Sequence, residues 1–137
     1  MSKCVEWVDR ALVVSPYYIG LCKSPDVFER ELKRMKVPKA NRPAFILNGS
    51  GATVHFFEKG DGKLCAIVCI TKPKGMNRIQ LDCLLVHEAA HIWQAIRDNI
   101  GEKSPSHEFE AYAIQSISQR LIESYWAKPT KAKKGQK

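Results

Sequence analysis

Leu81-Asp-Cys-Leu-Leu-Val-His-Glu-Ala-Ala-His-Ile-Trp-Gln-Ala-Ile-Arg-Asp-Asn99 is the stretch that decides the fold. Its apolar positions, Leu81, Leu84, Leu85, Ala89, Ile92, Trp93 and Ile96, recur with helical spacing. The spacing predicts a helix, with Asp82 as the expected N-cap and Gly101 as the expected stop. Inside it, His87-Glu88-Ala89-Ala90-His91 reads H-E-x-x-H. Residues four apart share a helix face, so both imidazoles can reach one metal ion, and Glu88 stands beside them as a proton acceptor for a metal-activated water. A core helix with two chance histidines would set two imidazoles and a carboxylate against an apolar stripe with nothing to satisfy them, which is costly.

Around this helix the chain reads as a single domain over residues 1–127. At 137 residues, 45% hydrophobic and 26% charged, it has the composition of an ordinary globular protein. No apolar run reaches membrane-spanning length, and the N-terminal residues carry acids and lack a long apolar segment. Cytoplasmic residence is the expectation. The five cysteines, Cys4, Cys22, Cys65, Cys69 and Cys83, lack C-x-x-C spacing and read as small buried hydrophobes in a reducing compartment. Five lysines and no acid fall in Lys128–Lys137, so removing that tail takes the formal charge from +8 to +3. The tail reads as disordered, and as the place where weak contact with nucleic-acid phosphates would occur.

Upstream, Cys4 to Val14 reads as a short helix, residues 15–20 as a connector, and Ser24-Pro25-Asp26 as the start of a second helix. That helix has a basic outer face, Arg30, Lys33, Arg34 and Lys36, which mixes with acids and reads as solvated. Three apolar, β-rich runs follow, Ala44–Asn48, Ala52–Lys59 and Leu64–Thr71, separated by glycine turns. They predict a small three-stranded, largely antiparallel sheet. Downstream, Ser104-Pro105 opens a long helix to about Trp126, with Phe109, Tyr112, Ala113, Ile117, Leu121 and Tyr125 as its apolar side. The fold class is α+β.

A hydrolytic zinc site has three protein ligands and an open position for water. H-E-x-x-H supplies two, and the downstream helix offers His107 and Glu110, which share a face. Two further residues are weighed. His55 reads either as a solvent-facing strand histidine or as a donor to a transition state. Tyr112 reads either as core or as a phenol near the metal.

The H-E-x-x-H helix, followed by a helix containing Glu-Phe-Glu-Ala-Tyr-Ala-Ile-Gln, resembles the gluzincin branch of the zincin metallopeptidases. It is especially similar to the small ImmA/IrrE-type and minimal gluzincins. The resemblance covers about Phe45 to Leu121. It implies a zincin-like fold, one Zn²⁺ per chain held by His87, His91 and Glu110, Glu88 as general base, and a protein or peptide substrate. Tyr112 departs from the Asp or Asn usual after Glu-Ala, and Ala90 from a common glycine. The competing expectation is a catalytically silent zincin-fold protein that holds structural zinc and binds a protein or nucleic-acid partner. An open sheet edge, Ala52–Lys59 or Leu64–Thr71, would seat an extended peptide as an added strand.

Overall fold

The computed structural model describes residues 4–8, 15–59, 61–72 and 74–128. The tail beyond Lys128 and residues 9–14 lie outside the described residues, so the tail's expected disorder and the end of the expected first helix are not addressed. The fold is α+β, a four-stranded mixed sheet with helices on both faces. In chain order the elements are β1 (Glu6–Val8), β2 (Tyr17–Cys22), α1 (Pro25–Arg34), a 3-10 turn (Lys39–Asn41), β3 (Ala52–Glu58), β4 (Leu64–Ile70), α2 (Arg78–Asn99) and α3 (His107–Trp126).

The sheet order is β1-β2-β4-β3. β1 pairs antiparallel with β2, β2 parallel with β4, and β3 antiparallel with β4. This corrects the expectation of three largely antiparallel strands. The expected helix over Cys4–Val14 begins instead as β1, and the expected connector over residues 15–20 leads into β2. The physical reason is burial on both faces. Ile19, Gly20, Leu21 and Cys22 are all buried in the parallel pair, so the run has no polar–apolar alternation to mark it as a strand. Gly20 is a packing residue there and not a turn. A Cβ on it would lie 2.6 Å from Val5 Cγ1 and 3.1 Å from the Trp7 ring.

The expected strand over Ala44–Asn48 is irregular. Its Phe45 and Ile46 pack against the α1 cluster, and two side chains of β3 hold it in place of a ladder. Thr53 Oγ1 accepts from the Leu47 N–H at 3.0 Å, and His55 Nε2 lies 3.0 Å from the Phe45 carbonyl.

Two apolar layers flank the sheet. On one face Ala66, Val68 and Ile70 of β4 meet Leu81, Leu85, Ala89, Ile92, Trp93 and Ile96 of α2, with Ala113, Ile117 and Leu121 of α3 closing the layer. On the other, Ile67 and Cys69 meet Val27, Phe28 and Leu32 of α1. Alternation along a strand sends neighbouring side chains to opposite faces, and both faces of β4 are covered. Cys22, Cys65 and Cys69 are buried, whereas Cys4 and Cys83 are exposed, which corrects the reading of all five as buried hydrophobes. Burial pushes the Cys65 thiol up.

The α2 start is also corrected. The N-cap is Asn77, four residues before the first buried leucine, and it forms a capping box. Asn77 Oδ1 accepts from the Gln80 N–H at 2.8 Å, and Gln80 Oε1 accepts from the Asn77 N–H at 3.0 Å. Asp82 lies inside the helix, where it accepts from Trp126 Nε1 at 2.6 Å and ties α3 to α2. The helix stops where expected, with Gly101 at φ +72. α3 is capped by Ser106, two residues after the expected Ser104, and its Oγ accepts from the Phe109 N–H at 3.2 Å. Among the described residues no helix is long and apolar enough to cross a membrane.

Candidate functional site

α2 presents three sides. One packs on the sheet and one on α3. The third, carrying His87, His91, Gln94 and Asp98, faces a cleft whose other wall is β3 and the segment before it. His87 and His91 are exposed along this side, one helical turn apart. Their Nε2 atoms converge to 3.2 Å. Two nitrogens about 2.0–2.1 Å from a shared tetrahedral ion stand about 3.3 Å apart, so the pair is already spaced as a metal chelate. The same distance also suits one hydrogen bond between neutral imidazoles. His91 Nδ1 lies 3.0 Å from Gln94 Oε1, a contact that orients the ring with Nε2 toward His87.

Glu88 lies beside the histidines but is turned inward, only 5% exposed, between α2 and β3. Burial pushes its carboxyl up from the ordinary glutamate value, while His87, His91 and a hydrogen bond from the Val54 backbone N–H pull it back down. β3 is the outermost strand on this side of the sheet, and it faces the cleft. β4 lies between β2 and β3, which decides between the two expected edges.

The cleft continues to both sides of Glu88. One cavity of 450 Å³ runs toward the C-terminal end of α2, past His91, Gln94 and Asp98, opposite Thr53 and Phe56. A second of 380 Å³ runs toward the N-terminal end, between Gly51, Met76, Cys83 and Leu84. The exposed Cys83 on this wall is a site residue that the sequence reading placed in the core. Its position one turn before His87 was the available signal. Gly51 permits the close approach, since a Cβ there would stand 3.0 Å from Leu84 Cδ2.

The remaining candidates are not with the histidines. Glu110 is at the seam between α2 and α3, where its Oε2 accepts from Trp93 Nε1 at 2.9 Å and stands 3.7 Å from Arg97 Nη1. Among the described residues no three of His, Cys, Asp and Glu gather around one point. His107 is exposed at the first position of α3. Tyr112 is 56% exposed, so it is not the core residue its spacing suggested. His55 is 8% exposed and stacks on Phe28 at 5.1 Å, on the sheet face opposite α2. It is neither solvent-facing nor placed to donate to a transition state in the cleft. Its Nε2 contact to the Phe45 carbonyl and its stacking give it a packing role.

The donor chemistry fits a divalent ion at His87 and His91, and among the described residues it stops at two protein ligands. No family model, curated protein or solved structure matches this chain.

Proposed function

We propose that the chain is a zinc-dependent peptidase of zincin type, working inside the cell on a protein or peptide substrate. The observation that carries this reading is the 3.2 Å convergence of the His87 and His91 Nε2 atoms beside a buried Glu88. His87 and His91 would hold the ion through neutral imidazoles. A bound zinc ion would polarise the scissile carbonyl and bring the pKa of water toward neutrality.

The rest falls to the chain's own groups. Glu88, with its carboxyl pushed up by burial, would take the proton of the attacking water on a carboxylate oxygen and return it to the leaving amine. The outward backbone groups of β3 around Val54 and Phe56 would hold an extended peptide along the cleft. The buried thiols of Cys22, Cys65 and Cys69 agree with a cytoplasmic setting.

Glu110 is the open point of the reading. It would complete the ligand set only by leaving Trp93 and Arg97. That placement is the one observation favouring the second reading, a zincin-like module that binds a partner without cleaving it. Glu88 weighs against it, because burying a carboxylate costs stability and zinc retention does not need it.

Titration calorimetry with zinc, paired with a peptide-cleavage assay, tests the reading. The wild type and Glu88→Gln should each bind one ion per chain, and His91→Ala should bind none. Glu88→Gln should lose cleavage by about 10²–10⁴-fold. Full zinc stoichiometry in His91→Ala would remove the site. Equal cleavage by wild type and Glu88→Gln would remove the mechanism.

A further inference from the structure

Asp98 is the least explained acid in the cleft. It sits in the last turn of α2, where the helix dipole disfavours negative charge. No ion pair joins it to any described cation, in a chain whose net charge is +8. It lines the same cavity as His91 and Gln94, two turns beyond His91, or about 10 Å along the helix axis. The opposite arm of the cleft, around Gly51, Met76 and Leu84, carries no charged side chain apart from Glu88. The two arms thus differ in charge about the histidines. An acid that helps neither the helix nor an internal pair, and that faces a cleft, is placed for a cation from outside.

We propose that Asp98 is a specificity-determining residue that selects a lysine or arginine side chain of the peptide substrate, on the arm of the cleft beyond His91. The inference rests on the peptidase reading and names its substrate class. At about 3.3 Å per residue, an extended peptide covers the axial distance from His91 to Asp98 in about three residues, and a long basic side chain shortens that. The selected residue therefore lies two or three positions from the scissile bond. The neutral arm takes an apolar or small side chain against Met76 and Leu84.

The test uses the zinc-loaded full chain and a synthetic quenched-fluorescent peptide library randomised at the positions flanking the scissile bond, with cleavage sites read by mass spectrometry. Wild type should enrich Lys or Arg at one position, two or three residues from the cut. The ratio of kcat/KM for the best lysine peptide over its norleucine counterpart should fall about tenfold in Asp98→Asn. Asp98→Lys should turn the preference toward Asp and Glu. Asp98 is exposed, and circular dichroism of both variants checks that they fold. Cleavage without a basic preference, or a preference that Asp98→Asn retains, overturns this inference and leaves the peptidase reading standing. Absence of any cleavage by the zinc-loaded wild type overturns both.

Discussion

Glu110 offers the sharpest test of how the two long helices are joined. Its carboxylate accepts from the indole of Trp93, a side chain 1% exposed, and lies 3.7 Å from Arg97. Glu110→Ala removes the acceptor and leaves the Trp93 N–H without a partner. A hydrogen bond to a charged group contributes about 1.5–3 kcal/mol, and an orphaned donor costs about as much as that bond was worth. The Arg97 pair adds little, because both side chains are 37% exposed and such pairs are worth about 0–1 kcal/mol. Partial access of water to the seam reduces the total to about 2 kcal/mol, or about 6–10 °C in melting temperature for a domain of this size. Glu110→Gln keeps an acceptor and should lose about 1 kcal/mol or less. His107→Ala, at an exposed position, should change stability by no more than about 0.5 kcal/mol. Urea and thermal denaturation of the zinc-free proteins measure all three. A Glu110→Ala variant as stable as wild type would show that the carboxylate is not engaged with Trp93 in solution. Zinc titration of the same variants tests the ligand role. Glu110→Ala should weaken zinc binding and His107→Ala should not. The reverse outcome would assign a three-histidine site.

Three further outcomes follow from packing and helix capping. Gly20→Ala places a Cβ 2.6 Å from Val5 Cγ1 and should destabilise the fold by about 1–3 kcal/mol through displacement of β1. Chemical denaturation checks this, and an unchanged midpoint would mean that β1 does not pack on β2 as described. Asn77→Ala breaks the capping box that starts α2 and should cost about 1 kcal/mol. Asp82→Ala leaves that cap intact, so any loss it shows measures the Trp126 tie between α2 and α3 together with the 3.8 Å pair to Arg78.

The α2 helix was legible because its signal is local. H-E-x-x-H needs only helical periodicity to bring His87 and His91 together, and the stripe from Leu81 to Ile96 supplies it. The α1 start was legible for the same reason, since Ser24 caps the Val27 N–H as its position before Pro25 suggested. The sheet was not. β2 is defined by parallel pairing with β4, more than forty residues later, and a strand buried on both faces reads like any short apolar run. Phe45 and Ile46 are as β-prone as the true strands, yet side chains of β3 hold that segment outside the ladder. His55 takes the buried face and not the solvent face, because one position of register decides which face a strand residue takes. The α3 cap moved from Ser104 to Ser106 because both serines can cap, and only packing against α2 chooses between them. Glu110 shares its helical face with His107 in the sequence, but nothing local fixes how α3 is turned relative to α2. Trp93 and Arg97 fix it.

The two outer strands of the sheet differ in length, and this bears on solubility. Among the described residues, β1 ends the sheet with three residues, Glu6–Val8, a short row of backbone groups. β3 ends it with seven, including Phe56 at 41% exposure, and among the described residues no strand covers its outer side. An edge of that length attracts any extended segment, including the β3 of another molecule. Glu58 and Lys59 put charge at its far end, where a second strand would begin to zip. Charge at that end would then guard the edge against self-association while leaving the half beside Glu88 open.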